Sequence, residues 1–243
     1  KSIFIPMKLT PEQIDRLYQF TRQHYVEWYD LQTELVDHLA NSIEAQWQEN
    51  PKISFEDALQ IEFKKFGVFG FMDVVEKRQA ALGKKYNLLI WKHFKSFFKI
   101  PQIIGVIIVT FLTAGILKTI YFDDLFTALF IGSFLITLFV IWISKYKKKK
   151  QNIPNEKRWL FKEMIYSYGG LSGFLYLPFQ LLNILFNGSR YNVLESNFWL
   201  FTISFILVSF YLSMYIIMKI IPSKAEDYLK EAYPEYTLEN ASI

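Results

Sequence analysis

The sequence contains no cysteine and none of the short motifs that carry common enzyme chemistry. Without cysteine, the 243-residue chain has no thiol nucleophile, no thiolate metal ligand and no disulfide. It has no Gly-x-Ser-x-Gly elbow and no His-Glu-x-x-His pair. The segment Gly67-Val68-Phe69-Gly70 is too short for a phosphate-binding loop and lacks the Lys-Ser/Thr pair. These absences predict a protein that is not an enzyme and that uses no cofactor and no metal ion.

Ionisable residues are also nearly absent from four long apolar runs. The runs cover about residues 100–120, 125–143, 164–186 and 198–221. Each has about 20 residues, which is the length that an α-helix needs to cross the hydrocarbon core of a bilayer. Lys118 lies near one end of the first run, where its side chain can reach the membrane interface. Because ion-coupled carriers usually keep a charged side chain at mid-membrane, the runs predict four membrane spans that do not form a carrier by themselves.

The distribution of basic residues predicts the orientation of these spans. Lysines are frequent in segment 84–99 and in the connection 144–163, and they return in the tail 222–243. The connections after the first and third runs are poor in basic residues. Cytoplasmic connections of membrane proteins carry an excess of lysine and arginine. The sequence therefore predicts a multi-pass membrane protein whose two termini and 144–163 loop are cytoplasmic.

A run of consecutive lysines stands out within that loop. It consists of Lys147, Lys148, Lys149 and Lys150. Such a run fits either an anionic-lipid patch or a nucleic-acid patch. Because it lies directly beside the end of a span, we interpret it as a topology anchor that contacts lipid headgroups, and we expect no nucleic-acid partner.

Helix signals are dense before the first apolar run. The sequence Thr10-Pro11-Glu12-Gln13 has a capping residue, a proline at the first helical position and a glutamine at the third, and it predicts a helix over about 11–24. A second helix is predicted over about 30–49, since apolar residues recur there every four positions. Ser54 caps a third helix, and a fourth runs from Phe71 toward the membrane. No strand-like alternation occurs in this part of the sequence.

The fold class predicted is therefore all-α, with a small cytoplasmic helical domain followed by four transmembrane helices. The cytoplasmic domain covers residues 1–83, and a basic amphipathic segment at 84–99 leads to the membrane domain, 100–221. In the tail 222–243, the residues from Ser223 to Glu226 form a capping box for a short amphipathic helix. That helix can pack on the cytoplasmic domain or on the basic loop.

Several motifs in the cytoplasmic part resemble the HAAS-type helical domain. They are Leu31-Gln32-Thr33-Glu34-Leu35-Val36-Asp37-His38-Leu39 with Ile43-Glu44, then Ser54-Phe55-Glu56-Asp57-Ala58-Leu59, then Phe66-Gly67. The resemblance covers about residues 9–80. It implies a module that precedes transmembrane helices in bacterial permeases and signalling proteins, whose relatives are often encoded beside PadR-type transcriptional regulators. It thus implies regulation or protein–protein contact in the bacterial inner membrane. The membrane half shows no permease or kinase signature.

The second predicted helix carries the best candidate for a binding surface. Its polar side consists of Glu34, Asp37, His38, Asn41 and Glu44. A carboxylate and an imidazole four residues apart can supply two metal ligands, but no other helix offers a matching pair. The alternatives are a solvated helix side and a surface that docks a protein partner. His24 and His93 stand alone and are predicted to be structural or exposed.

The third apolar run is the only one with a distinctive set of polar and small residues. Gly169 and Gly173 have the spacing that lets two helices approach closely, and Pro178, Gln180 and Asn183 follow. These residues predict helix packing, with a polar cleft for a lipid headgroup or a small ligand as the alternative.

Three classes of function fit these observations. The first is a non-enzymatic regulatory or scaffolding membrane protein whose cytoplasmic domain binds a protein partner. The second is an accessory subunit of a larger transport or secretion complex, in a homo- or hetero-oligomer. The third is a lipid-active membrane enzyme, which would need convergent acidic or histidine residues at a membrane face. We predict the first class, with membrane lipids as the other contacts of the protein.

Overall fold

The computed structural model describes residues 8–119, 132, 139, 143, 157–167, 196–233 and 236. Within these ranges the chain forms helices and no β-strand, which confirms the all-α prediction. The α-helices are α1 (Pro11–Gln23), α2 (Tyr29–Glu49), α3 (Phe55–Lys64), α4 (Met72–Ser96), α5 (Gln102–Thr119), α6 (Leu160–Tyr166), α7 (Asn197–Tyr215) and α8 (Ala225–Ala232). Between α7 and α8 lie a π-helix (Ile216–Ile220) and a short α-helical turn (Ile221–Ser223).

The chain divides into two compact units. The head unit comprises Lys1–Leu82, Lys157–Glu163 and Leu229–Ile243, and the second unit comprises Gly83–Glu156 and Met164–Tyr228. The head unit thus joins the N-terminal third of the chain with a short piece of the 144–163 loop and with the end of the tail. Helices α4 and α8 each begin in one unit and end in the other.

Local capping determines where the first helices of the head unit begin. The Thr10 side chain accepts a hydrogen bond from the Gln13 N–H at 3.3 Å, and the Gln13 side chain accepts one from the Thr10 N–H at 2.9 Å. Ser54 accepts from the Asp57 N–H at 3.2 Å at the start of α3. Each cap satisfies an N–H group that has no partner inside the helix. The predicted starts of α1 and α3 are therefore confirmed.

The core of the head unit forms on one face of α2. Its buried apolar side chains recur every four residues and are Leu31, Leu35, Leu39, Ile43 and Trp47. They pack against α1 and α3, where Leu17, Phe20, Ala58 and Leu59 are buried. The four-residue spacing places Glu34, Asp37, His38 and Asn41 on the opposite side of the helix.

An aromatic cluster closes the core where α3 ends and α4 begins. The Phe63 ring lies 5.1 Å from the Phe20 ring and 5.0 Å from the Phe71 ring, both edge to face. The His24 ring lies 4.3 Å from Phe63, and its Nδ1 lies 2.8 Å from the Phe20 carbonyl oxygen. Gly70, at φ +55°, passes so close to Phe63 that an added Cβ would lie 2.9 Å from Cζ of that ring.

The second unit contains two helices that are long and apolar enough to cross a membrane. They are Gln102–Thr119, with a mean hydropathy of 1.8, and Asn197–Ser223, with a mean hydropathy of 2.1. They coincide with the first and fourth apolar runs of the sequence. The second and third runs lie almost entirely outside the described residues.

Helices α5 and α7 pack against each other within this unit. Their buried side chains include Val106, Ala114, Leu117, Leu200 and Leu207. The Phe111 ring lies 4.9 Å from the Phe201 ring, and the Phe98 ring lies 6.0 Å from the Phe205 ring. Most other apolar side chains of α5 are exposed, as expected of a helix whose outer face meets lipid or other helices, and Ile103 is half-buried.

Candidate functional site

The polar side of α2 that the sequence singles out lies on the surface of the head unit. Its exposed members are Glu34, Asp37, His38 and Asn41. Glu44 is half-buried, because its Oε1 accepts a hydrogen bond from the Leu9 N–H at 3.0 Å. Four of the five predicted residues therefore form one accessible acidic face of α2, and the fifth holds Leu9, just before α1, against the helix.

The side chains of this acidic face differ in how far they are held in place. The His38 ring lies 5.9 Å from the Phe66 ring, edge to face, so that packing limits the orientation of the imidazole. Among the residues that the structure describes, no group of three or more histidine and acidic side chains is placed to hold a metal ion. The arrangement thus presents two carboxylates and an imidazole on a rigid helix.

The first turn of the same helix holds a buried carboxylate that joins three distant parts of the chain. Asp30 is 7% exposed. Its Oδ1 accepts a hydrogen bond from the Leu160 N–H at 3.1 Å, and its Oδ2 accepts one from the Tyr233 hydroxyl at 2.8 Å. Leu160 belongs to the loop before the third apolar run, and Tyr233 belongs to the tail after the fourth. We call Asp30, Trp159, Leu160 and Tyr233 the Asp30 junction.

Burial governs the electrostatics of this junction. It raises the pKa of Asp30 above the usual value of 3.8, while the hydrogen bonds from Leu160 and Tyr233 and the charge of Arg78 act in the opposite direction. Burial, followed by the negative charge of Asp30, strongly raises the pKa of the Tyr233 hydroxyl. Tyr233 therefore keeps its proton at neutral pH and acts as a donor to the carboxylate.

Aromatic rings surround the loop segment at the junction. The Trp159 ring lies 5.5 Å from Tyr29, 5.0 Å from Tyr233 and 5.2 Å from Tyr236, measured between ring centroids. Trp159 is 5% exposed, so nearly all of its large apolar surface is removed from water. Lys157 places its Nζ 3.9 Å from the centroid of the Tyr29 ring, on the outer side of the same cluster. Aromatic burial of this size dominates the energy of such a contact.

Polar contacts surround the junction on the surface of the head unit. Arg158 forms ion pairs with Glu27 and with Glu163, the latter at 2.8 Å. The Trp28 indole N–H donates to the Glu163 carboxylate at 2.9 Å, and the Tyr29 N–H donates to the Arg158 carbonyl oxygen at 2.7 Å. The exposed ion pairs contribute little each, so the buried carboxylate and the Trp159 cluster carry most of the stability of this contact.

Sequence reasoning placed Asp30 at the start of the second helix but did not identify its role. An acidic residue in the first turn of a helix is ordinary, because it interacts favourably with the helix dipole. The available signal was the density of large aromatic residues in three separate places, at Trp28-Tyr29, at Trp159 and at Tyr233. Aromatic residues in short polar segments indicate a buried contact, although they do not say with what.

Other predicted residues lie elsewhere. The His93 Nε2 lies 2.6 Å from the Tyr228 hydroxyl within the second unit, and His24 packs in the aromatic cluster of the head unit, so both have structural contacts. The third-run residues Gly169, Gly173, Pro178, Gln180 and Asn183 lie outside the described residues, as do the lysines 147–150. Their predicted roles in helix packing, ligand binding and lipid contact stay predictions.

A comparison of the chain with protein-family models, with curated proteins and with solved structures finds no match.

Proposed function

We propose that this chain is a non-enzymatic regulatory or scaffolding protein of the bacterial inner membrane, whose head unit binds a cytoplasmic protein partner. It spans the membrane four times, with both termini in the cytoplasm. Two helices with the length and hydropathy of membrane spans support the membrane location. The resemblance of residues 9–80 to HAAS-type domains supports a regulatory role.

The observation that carries the proposal is that α2 bears both the exposed acidic face and the buried Asp30 junction. Glu34 follows Asp30 by one helical turn, which is about 6 Å along the helix axis. A partner that binds Glu34 and Asp37 therefore contacts the same rigid helix that holds Leu160 and Tyr233. These two residues belong to chain segments next to the third and fourth apolar runs, so a partner on this helix lies one turn from the contacts that hold those segments.

The decisive test reverses the charge of the acidic face and measures the proteins that co-purify. The variant Glu34→Lys plus Asp37→Lys is expected to lose the bound partner at least tenfold, because like charges opposed across an interface are strongly unfavourable. The readout is quantitative mass spectrometry after affinity purification of the full chain from native membranes.

A matched control lies on α4. Asp73 and Glu76 are both exposed, have the same three-residue spacing and give the same change in charge when both are replaced by lysine. This control is expected to retain the partner. If the α2 variant retained every co-purifying protein at the level of the unmodified chain, the proposed role of the acidic face would be wrong.

A second candidate is an accessory subunit of a larger transport or secretion complex. The exposed apolar face of α5 favours it, since Ile104, Ile108, Phe111 and Leu112 are all more than half exposed. In a complex, such a face packs against the spans of other subunits. Co-purification of other membrane proteins at a fixed stoichiometry would favour this function over a regulatory one.

A further inference from the structure

An open apolar groove runs along the contact between α5 and α7 in the second unit. Its volume is about 580 Å³, which is within the usual range for sites that bind small molecules. The α5 side is lined by Gly105, Val109 and Ile116, and the α7 side by Leu207 and Leu212. Polar groups in the lining are few, so the groove suits a long apolar chain.

The groove is longer than the hydrocarbon region of one bilayer leaflet. The lining residues of α5 extend from Gln102 to Leu117, which corresponds to about 22 Å at 1.5 Å per residue. The hydrocarbon of a single leaflet is about 15 Å thick. A lipid acyl chain that enters at one end can therefore lie inside the groove across the whole thickness of that leaflet.

The chain segment that leads to the Phe97 and Gln102 end of the groove is basic. Phe97 lines the groove, and the exposed Lys95 and Lys99 flank it in the sequence. Lys224, which follows α7, and Lys92 both lie close enough to His93 to lower the pKa of its imidazole, after the larger effect of burial. His93 precedes Phe97 by one helical turn, so these lysines belong to the segments that lead into α5 and follow α7. Basic segments beside one end of an apolar groove complement a lipid with an anionic headgroup.

We propose that the α5–α7 groove binds an anionic phospholipid, with an acyl chain along Gly105 and Val109 and with the phosphate at Lys95 and Lys99. Gln102 lines the groove three residues after Lys99 and supplies an amide that can hydrogen-bond the headgroup. The proposal rests on the membrane location included in the proposed function, but it does not depend on the acidic face or on any protein partner.

Gly105 offers a direct way to fill the groove. A Cβ added at Gly105 meets no atom within 4 Å, so a leucine side chain can occupy the groove without a clash with the protein. Gly115 lies on the same helix, also has no atom within 4 Å of an added Cβ, and does not line the groove. Both substitutions remove a helical glycine and favour helix formation equally, so Gly115→Leu is a matched control.

The experiment is native mass spectrometry of the full chain, purified in detergent and supplied with phosphatidylglycerol or phosphatidylcholine. The unmodified chain should retain phosphatidylglycerol preferentially. Gly105→Leu should weaken the retention of phosphatidylglycerol about tenfold, which is the loss expected when about two methylene groups of the lipid are no longer buried in the groove. Gly115→Leu should bind as the unmodified chain does. Lys95→Gln and Lys99→Gln should each reduce the preference for the anionic lipid about fivefold.

Several results would overturn the proposal. Equal retention of lipid by Gly105→Leu and the unmodified chain would show that no lipid occupies the groove, as would an equal loss in Gly115→Leu. If the unmodified chain were a dimer and Gly105→Leu dissociated it without changing the bound lipid, the groove would instead be the contact with a second copy of the chain. Absence of the unmodified chain from the membrane fraction would instead contradict the proposed function. Membrane fractionation measures this location separately from lipid binding.

Discussion

Removal of the Tyr233 hydroxyl tests whether the Asp30 junction holds the head unit together. In Tyr233→Phe the ring of residue 233 still packs against Trp159, but the 2.8 Å hydrogen bond to Asp30 Oδ2 is lost. A hydrogen bond to a charged group contributes about 1.5–3 kcal/mol, and its loss here leaves a buried carboxylate with one fewer donor. We expect the junction to be destabilised by about 2 kcal/mol.

The assay is hydrogen exchange of the peptide that contains residues 157–166, measured by mass spectrometry on the full chain in detergent. The Leu160 N–H donates to Asp30, so its exchange reports the opening of the junction. A loss of about 2 kcal/mol corresponds to exchange that is about 30-fold faster, because 1.4 kcal/mol is a factor of ten. This local readout does not require the two units to unfold together.

Tyr18→Phe is the control for this prediction. The Tyr18 hydroxyl donates to the neutral Thr33 hydroxyl at 3.3 Å, and the Tyr18 ring, which stacks on Tyr29, is kept in this variant. Its loss should leave exchange in peptide 157–166 within about twofold of the unmodified chain, as expected for a weak contact between neutral groups. If Tyr233→Phe also stayed within that limit, the role assigned to the Asp30–Tyr233 hydrogen bond would be refuted.

Three further predictions concern the head unit. Because burial raises the pKa of Asp30, this carboxyl group keeps its proton to higher pH in the folded state than in the unfolded state. Asp30 therefore makes the free energy of unfolding fall as pH rises from 3.8 through the folded pKa. Unfolding curves of Asp30→Asn across this pH range should lack this fall. Trp159→Ala should cost about 3–5 kcal/mol in chemical denaturation, since it empties a buried aromatic site. Gly70→Ala should lower the melting temperature more than Gly67→Ala, because both have positive φ but only Gly70 places the new Cβ against Phe63; equal effects would contradict this contact.

Local sequence patterns were sufficient to predict helices α1, α2 and α3 of the head unit. The capping residues Thr10 and Ser54 mark the starts of α1 and α3, and the four-residue repeat from Leu31 to Trp47 marks the buried face of α2. The exposure of Glu34 and Asp37 follows from the same repeat. Each of these features depends on residues within a few turns of one another, which is the range over which helix periodicity and capping act.

The two helices that are long and apolar enough to cross a membrane were predictable for a similar reason. Helix α5 and the helical stretch from Asn197 to Ser223 coincide with the first and fourth apolar runs, because length and hydropathy are properties of a single continuous segment. The π-helix at Ile216–Ile220 was not predictable, since it depends on how the backbone adjusts to its surroundings.

The sequence by itself determined the helical class, the starts of α1 and α3 and the buried face of α2. It did not predict that α6 begins at Leu160, inside the predicted 144–163 loop. Only the tertiary structure decided that Asp30 is buried and that Leu160 and Tyr233, which are 130 and 203 positions away, supply its two hydrogen bonds. The physical reason is that periodicity and capping are short-range, whereas these contacts depend on closing long loops and on excluding water from a carboxylate. An aspartate in the first turn of a solvated helix and an aspartate at a buried junction have the same local sequence pattern.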